Sequence, residues 1–191
     1  CGEGGALLVN EPSLSERAEV LRHKGTNRSR FFRGQVDKYS WVDLGSSFLP
    51  SDILAAFLLA QLEQRSSIQA RRQELWRRYN TELAGWAHSH GVGLPLVPAH
   101  CDQAYHMFYL IMPSLAARQR LISHLAQAGI GAVFHYLPLN RSDMARRLGS
   151  ESACPVVEDI SDRLVRLPFF PALTDIDQSL VVEATMSAPM A

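Results

Sequence analysis

The stretch YHMFYLIMPSLAARQRLISHLAQAGIGAVFHYL, residues 105–137, decides the fold class. Residues 105–112 are mostly apolar or aromatic, the composition of a strand. Ser114 then offers a helix N-cap, and apolar residues recur at threes and fours from Leu115 to Ala128. Past the break at Gly129, the residues from Gly131 to Leu137 read as a second strand. Downstream, the pattern predicts a short helix over Ser142–Leu148, a strand near Val165–Leu167 and a last helix capped by Thr174. Strands alternating with helices predict a layered α/β unit.

Working back toward the N-terminus, one long helical pattern starts at Ser51 and runs to about His90, where Gly91 and Gly93 end it. Pro95 and Pro98 mark the connection to the α/β unit. Residues 26–50 read as irregular, mixing arginines and aromatics with Gly34, Gly45 and Pro50; long loops of this kind carry function more often than not. Ahead of them, Ser13 and Glu16 have the spacing of a capping box for a helix expected to stop at Gly25. Ala6–Val9 reads as a short buried strand, and because no initiator methionine precedes it, the chain is expected to begin inside a larger protein.

Nineteen basic residues balance nineteen acidic ones, so no global field draws the chain toward nucleic acid or an anionic membrane. Only Lys24 and Lys38 are lysines; the other seventeen basic residues are arginines. Cys1, Cys101 and Cys154 stand in no metal-ligand spacing, nor do His88, His90, His100 and His124, so no metal is expected, and the odd cysteine count suits the cytoplasm. No apolar run approaches the roughly 18 residues of a membrane span.

Five segments stand in a telling order: Gly2-Glu-Gly-Gly-Ala6, Gly45-Ser-Ser-Phe-Leu-Pro-Ser-Asp-Ile-Leu-Ala-Ala56, His106-Met-Phe-Tyr109, His135-Tyr-Leu-Pro-Leu139 and Arg166-Leu-Pro-Phe-Phe-Pro171. Together they resemble the DegT/DnrJ-type sugar aminotransferases over nearly the whole chain. The resemblance implies the C-terminal part of an aspartate-aminotransferase-type α/β protein, the pyridoxal-phosphate fold type I. Residues 1–50 would be the tail of the large cofactor domain, comprising a strand, a helix and an interface loop, and residues 51–191 a long linking helix with the small C-terminal domain. It also implies transfer of an amino group, with glutamate as donor, to a nucleotide-linked 4-keto-6-deoxy sugar in a homodimer or larger assembly. Such enzymes serve cell-surface polysaccharide or lipopolysaccharide synthesis. In that family the lysine that binds pyridoxal 5'-phosphate covalently lies shortly before the Gly-Glu-Gly-Gly turn, upstream of Cys1. No catalytic residue is therefore assigned within the chain, which is expected to be inactive alone.

For the cofactor phosphate, the resemblance points to Ser47, standing where the family has an asparagine, with Asn27 as a nearby polar group. Leu49 replaces the family's arginine, and Ser47 is equally a local turn residue. For the substrate it points to Arg28, Lys38 and Tyr39 in the loop, to His135 and Tyr136, and to His106 and Tyr109. Adjacent residues on a strand face opposite ways, so His135 and Tyr136 share a pocket only if the strand ends there, as Pro138 suggests. A Tyr109 in an apolar strand is equally a core residue. The interleaved Arg28, Arg30, Phe31, Phe32 and Arg33 leave a second class open, a small single-stranded nucleic-acid surface. A third is a non-catalytic fragment that dimerises or binds a sugar nucleotide.

Overall fold

The computed structural model describes residues 2–189, which leaves Cys1 outside the account, and the chain groups into two compact units, residues 1–65 and 66–191. In the C-terminal unit, α4 (Arg65–Glu82) and α5 (Ala84–Ser89) precede β1 (Tyr109–Ile111). Then come α6 (Leu115–Gln127), β2 (Val133–Phe134), α7 (Asp143–Arg147), α8 (Pro155–Arg163), β3 (Leu164–Arg166) and α9 (Asp175–Met186). The three strands make an antiparallel sheet in the order β1-β3-β2. Its inner row meets the core: Leu110 lies opposite Val165, and both are fully buried.

That core is aromatic at its centre. Tyr79 stacks on Phe108 at 5.1 Å between ring centroids, and Trp76 meets the same ring edge-on at 5.7 Å. Burial pushes the Tyr79 phenol well above its ordinary pKa, and its hydroxyl donates to the Pro168 carbonyl at 3.0 Å, which satisfies the one polar atom it carries inside. Leu75, Leu83, Met112, Leu121 and Leu125 complete the filling. Gln178, fully buried on α9, donates to the Leu75 carbonyl at 2.7 Å and so ties α9 to α4.

The capping signals place most helices. Ser114, Ser142 and Thr174 each accept a backbone N–H of the first turn, at 3.1 Å in all three cases. The strands are shorter than the sequence predicts, and α8, opened by Pro155, was not predicted at all.

The N-terminal unit holds a short 3-10 turn (Pro12–Leu14), α1 (Ser15–Arg22), α2 (Arg28–Phe32) and α3 (Asp52–Glu63). Three expectations fail here. Ala6–Val9 forms no strand, and Leu7 and Leu8 are 77% and 85% exposed, because no neighbouring strand pairs with them among the described residues. Glu11, not Ser13, caps the first turn, its carboxylate accepting from the Ser13 N–H at 3.3 Å. The helix expected to run from Ser51 to His90 is interrupted at Gln64 and Leu83. Of the described residues in this unit, only Val20 and Gly25 are buried. α3, apolar on every side, buries none of its residues.

Candidate functional site

Backbone contacts rather than packing shape the loop of the N-terminal unit. α1 ends with Lys24 and Gly25 both at positive φ, 61° and 74°, and the Gly25 N–H donates to the Val20 carbonyl at 2.9 Å in a Schellman-type closure. The expected stop at Gly25 therefore holds, with Lys24 sharing the left-handed turn. A Cβ on Gly25 would lie 1.8 Å from the Asp43 carbonyl oxygen, and one on Gly45 would lie 2.1 Å from the Gly25 nitrogen. Only glycine fits at either place. This close approach brings the segment after Gly45 back along α1, where Ser47 bridges His23 and the Lys24 N–H donates to the Ser46 carbonyl at 3.1 Å.

Between these anchors, residues 27–40 form a closed loop. The Asn27 N–H donates to the Ser40 carbonyl at 3.2 Å, and the Ser40 N–H donates to the Asn27 side-chain oxygen at 2.8 Å. The Asn27 carbonyl is thus committed to the loop's own neck. Arg30 pairs with Glu16 at 3.2 Å and Arg33 with Glu19 at 2.8 Å, and the Arg33 hydrogen bond holds the Glu19 carboxyl below its usual pKa. Arg28, Lys38 and Tyr39 stay exposed, as does Ser47. Burial, then the nearby Arg22 and Arg28 charges, lowers the His23 pKa, which disfavours its charged form.

In the C-terminal unit the sheet supplies the other predicted residues. β2 ends at Phe134, so His135 and Tyr136 follow the strand end, and their rings approach to 5.0 Å between centroids instead of facing opposite ways. Tyr136 is 76% exposed, whereas His135 is half-buried with its Nδ1 buried and unpartnered among the described residues. Tyr109 is half-buried at the start of β1, directly opposite Arg166, which in turn lies opposite Val133. The core reading of Tyr109 belongs instead to its neighbours Phe108 and Leu110. His106 precedes the strand, exposed, after Tyr105 at φ 44°.

Two residues, Arg166 and Phe32, were not among the cofactor and substrate residues expected from the sequence, although Phe32 stood in the Arg28–Arg33 cluster. Arg166, whose Nε is buried without a partner among the described residues, shares the outward row with Tyr109; its place at the head of Arg166-Leu-Pro was the available signal. Phe32 lies under Arg28, with the guanidinium carbon 4.9 Å from the ring centroid, and i,i+4 spacing on a helix could have announced it. Among the described residues, no group of three or more His, Cys, Asp or Glu is placed to hold a metal, and no helix is long and apolar enough to cross a membrane.

This α/β fold matches solved structures of aminotransferases over about 45% of their chains. The crystal structure of S. venezuelae DesV matches this chain at TM-score 0.78 and 27% identity, over 94% of this chain and 45% of that one. A Streptococcus pneumoniae chain solved in its PMP-form matches at TM-score 0.79 and 22% identity, over 94% of this chain and 45% of that one. The erythromycin biosynthesis sensory transduction protein EryC1 of Saccharopolyspora erythraea is 30% identical over 175 residues, 91% of this chain and 44% of EryC1. Residues 1–186 match the model of the DegT/DnrJ/EryC1/StrS aminotransferase family, and the chain belongs to that family. It spans about half the length, 44–49%, of the curated relatives it matches.

Proposed function

We propose that this chain is the C-terminal part of a pyridoxal-phosphate-dependent enzyme that aminates a nucleotide-linked 4-keto-6-deoxy sugar, with glutamate as donor, in a cytoplasmic homodimer or larger assembly. The run Lys24–Trp41 narrows the reading to enzymes like the dTDP-4-amino-4,6-dideoxygalactose transaminase of enterobacterial common antigen synthesis, and so to cell-surface polysaccharide or lipopolysaccharide precursors. In domain terms, residues 1–50 would complete the large cofactor domain and residues 51–191 the linking helix and small domain. The observation that carries the reading is the family match over residues 1–186, which includes a clasped loop presenting Arg28 and Lys38 to solvent.

The residues present fit part of the cofactor's needs. Ser47, exposed beside the Gly25–Gly45 contact, can donate its hydroxyl to a phosphate. Asn27 fits less well, because its side-chain oxygen already holds Ser40. When bound, pyridoxal phosphate withdraws electrons from the substrate carbon that gains or loses the amino group. Neither lysine stands where the resemblance places the covalent one, upstream of Cys1: Lys24 lies exposed in the turn that ends α1, and Lys38 lies exposed in the loop.

This chain's own share is binding and orientation. Arg28 and Lys38 neutralise diphosphate oxygens, with Tyr39 beside them. His135 and Tyr136 border the sugar, and Tyr109 and His106 flank the same unit. In the complete enzyme, His135→Ala should lower turnover of the keto sugar more than it weakens binding of the bare nucleotide. Steady-state rates and calorimetry on that variant test the assignment, and equal losses in both would overturn it. This chain alone, mixed with pyridoxal phosphate and reduced with borohydride, should show no stoichiometric adduct at Lys24 or Lys38 by mass.

A further inference from the structure

The closed loop holds Arg28 in an arrangement that burial does not explain. Its guanidinium carbon lies 4.9 Å from the Phe32 ring centroid and 5.9 Å from that of Tyr39. Phe31 links the two rings, 5.9 Å from Phe32 and 5.7 Å from Tyr39. Phe32 is 65% and Tyr39 49% exposed, so the trio gains little by leaving water where it stands. A guanidinium laid against ring faces is instead held flat, its rotamers restricted, with its N–H edge free to meet a planar or tetrahedral anion. The neighbouring Arg30 and Arg33 are engaged by Glu16 and Glu19, while Arg28 has no ion pair among the described residues. The Asn27–Ser40 pair of hydrogen bonds shuts the neck of the loop and brings Tyr39 back to the residue that follows Asn27.

We propose that Phe32 and Tyr39 are positioning residues that hold Arg28 as a preformed, two-pronged receptor for the diphosphate of a nucleotide, and that Asn27 serves by clasping the loop. The inference rests on the reading of this loop as a nucleotide site. A lysine at position 28 would keep the charge and lose the effect, because an ammonium neither stacks flat nor forks.

The test is calorimetry on the complete, cofactor-loaded enzyme with thymidine diphosphate, and with inorganic pyrophosphate in a parallel arm. Arg28→Ala should weaken both ligands about 10- to 100-fold, and Arg28→Lys should recover little of that. Phe32→Leu and Tyr39→Leu should each weaken them about two- to fivefold, with Tyr39→Phe restoring parental affinity. Cofactor absorbance identifies any variant that has misfolded, and the remaining ring variant then decides. If Arg28→Ala binds poorly while the ring variants bind like the parent, positioning by the rings is wrong and the nucleotide reading survives. A Tyr39→Phe loss equal to that of Tyr39→Leu would also overturn it, by assigning the effect to the hydroxyl. Parental affinity in Arg28→Ala would remove both the proposal and the reading of the loop beneath it.

Discussion

The two units of this chain are held by different forces. Residues 66–191 fold around a closed set of aromatic and aliphatic side chains, whereas residues 1–65 bury only Val20 and Gly25 among the described residues and keep their shape through turns, glycine contacts and ion pairs. Hydrophobic burial is what offsets the loss of chain entropy on folding, and hydrogen bonds exchanged with water contribute much less. A region that carries binding chemistry can thus be fully specified in its backbone and still depend on the rest of its protein for stability.

The largest test of this contrast is to separate the units. Residues 66–191 alone should unfold in one cooperative urea transition followed by tryptophan fluorescence, while residues 1–65 alone should show no transition. A cooperative transition in the shorter piece would break the comparison. Within residues 66–191, Phe108→Ala should cost about 3–5 kcal/mol, because it empties the centre of the stack with Tyr79 and Trp76.

In the complete protein, Gly25→Ala should cost about 1–3 kcal/mol through backbone strain at φ 74° and the clash with the Asp43 carbonyl. Thermal unfolding measures that cost, and a loss below 0.5 kcal/mol, about the smallest change worth calling an effect, would mean the loop is not pinned there. The smallest effect concerns Glu158. The Cys154 N–H, then Asn140 and Arg141, hold its carboxyl below the ordinary 4.5. A depressed acid stabilises the fold above its unfolded pKa and loses that contribution as pH falls through the folded value. Glu158→Gln should therefore lower the stability of residues 66–191 slightly at pH 7 and hardly at all in acid, which flattens the fall in stability below about pH 4.5.

The same contrast explains what could be read in the sequence. Ser114, Ser142 and Thr174 announced their helices because a cap is a local signal, satisfied by atoms three residues away. Ala6–Val9 misled because an apolar run says a strand should be covered without saying by what. α8 was missed although Pro155 at its first turn is a start signal, since the apolar pattern after it is short. At the candidate site, the strand end before His135 followed from Pro138, but nothing in the sequence announced that the Asn27 oxygen closes the loop on Ser40. That bond joins residues 13 apart, a separation at which sequence pattern carries no information.

The pairing of Arg30 with Glu16 and Arg33 with Glu19 also sets how the loop meets an anion at a distance. Half of its four cations are cancelled within 3.2 Å, so little net potential extends beyond the roughly 8 Å screening length of physiological salt. Long-range attraction would then add little to the encounter rate, and discrimination among anions would fall to dissociation, after the ligand has already touched the Arg28 edge. A binding rate nearly independent of ionic strength, with a lifetime that is not, is the kinetic signature such a loop would leave.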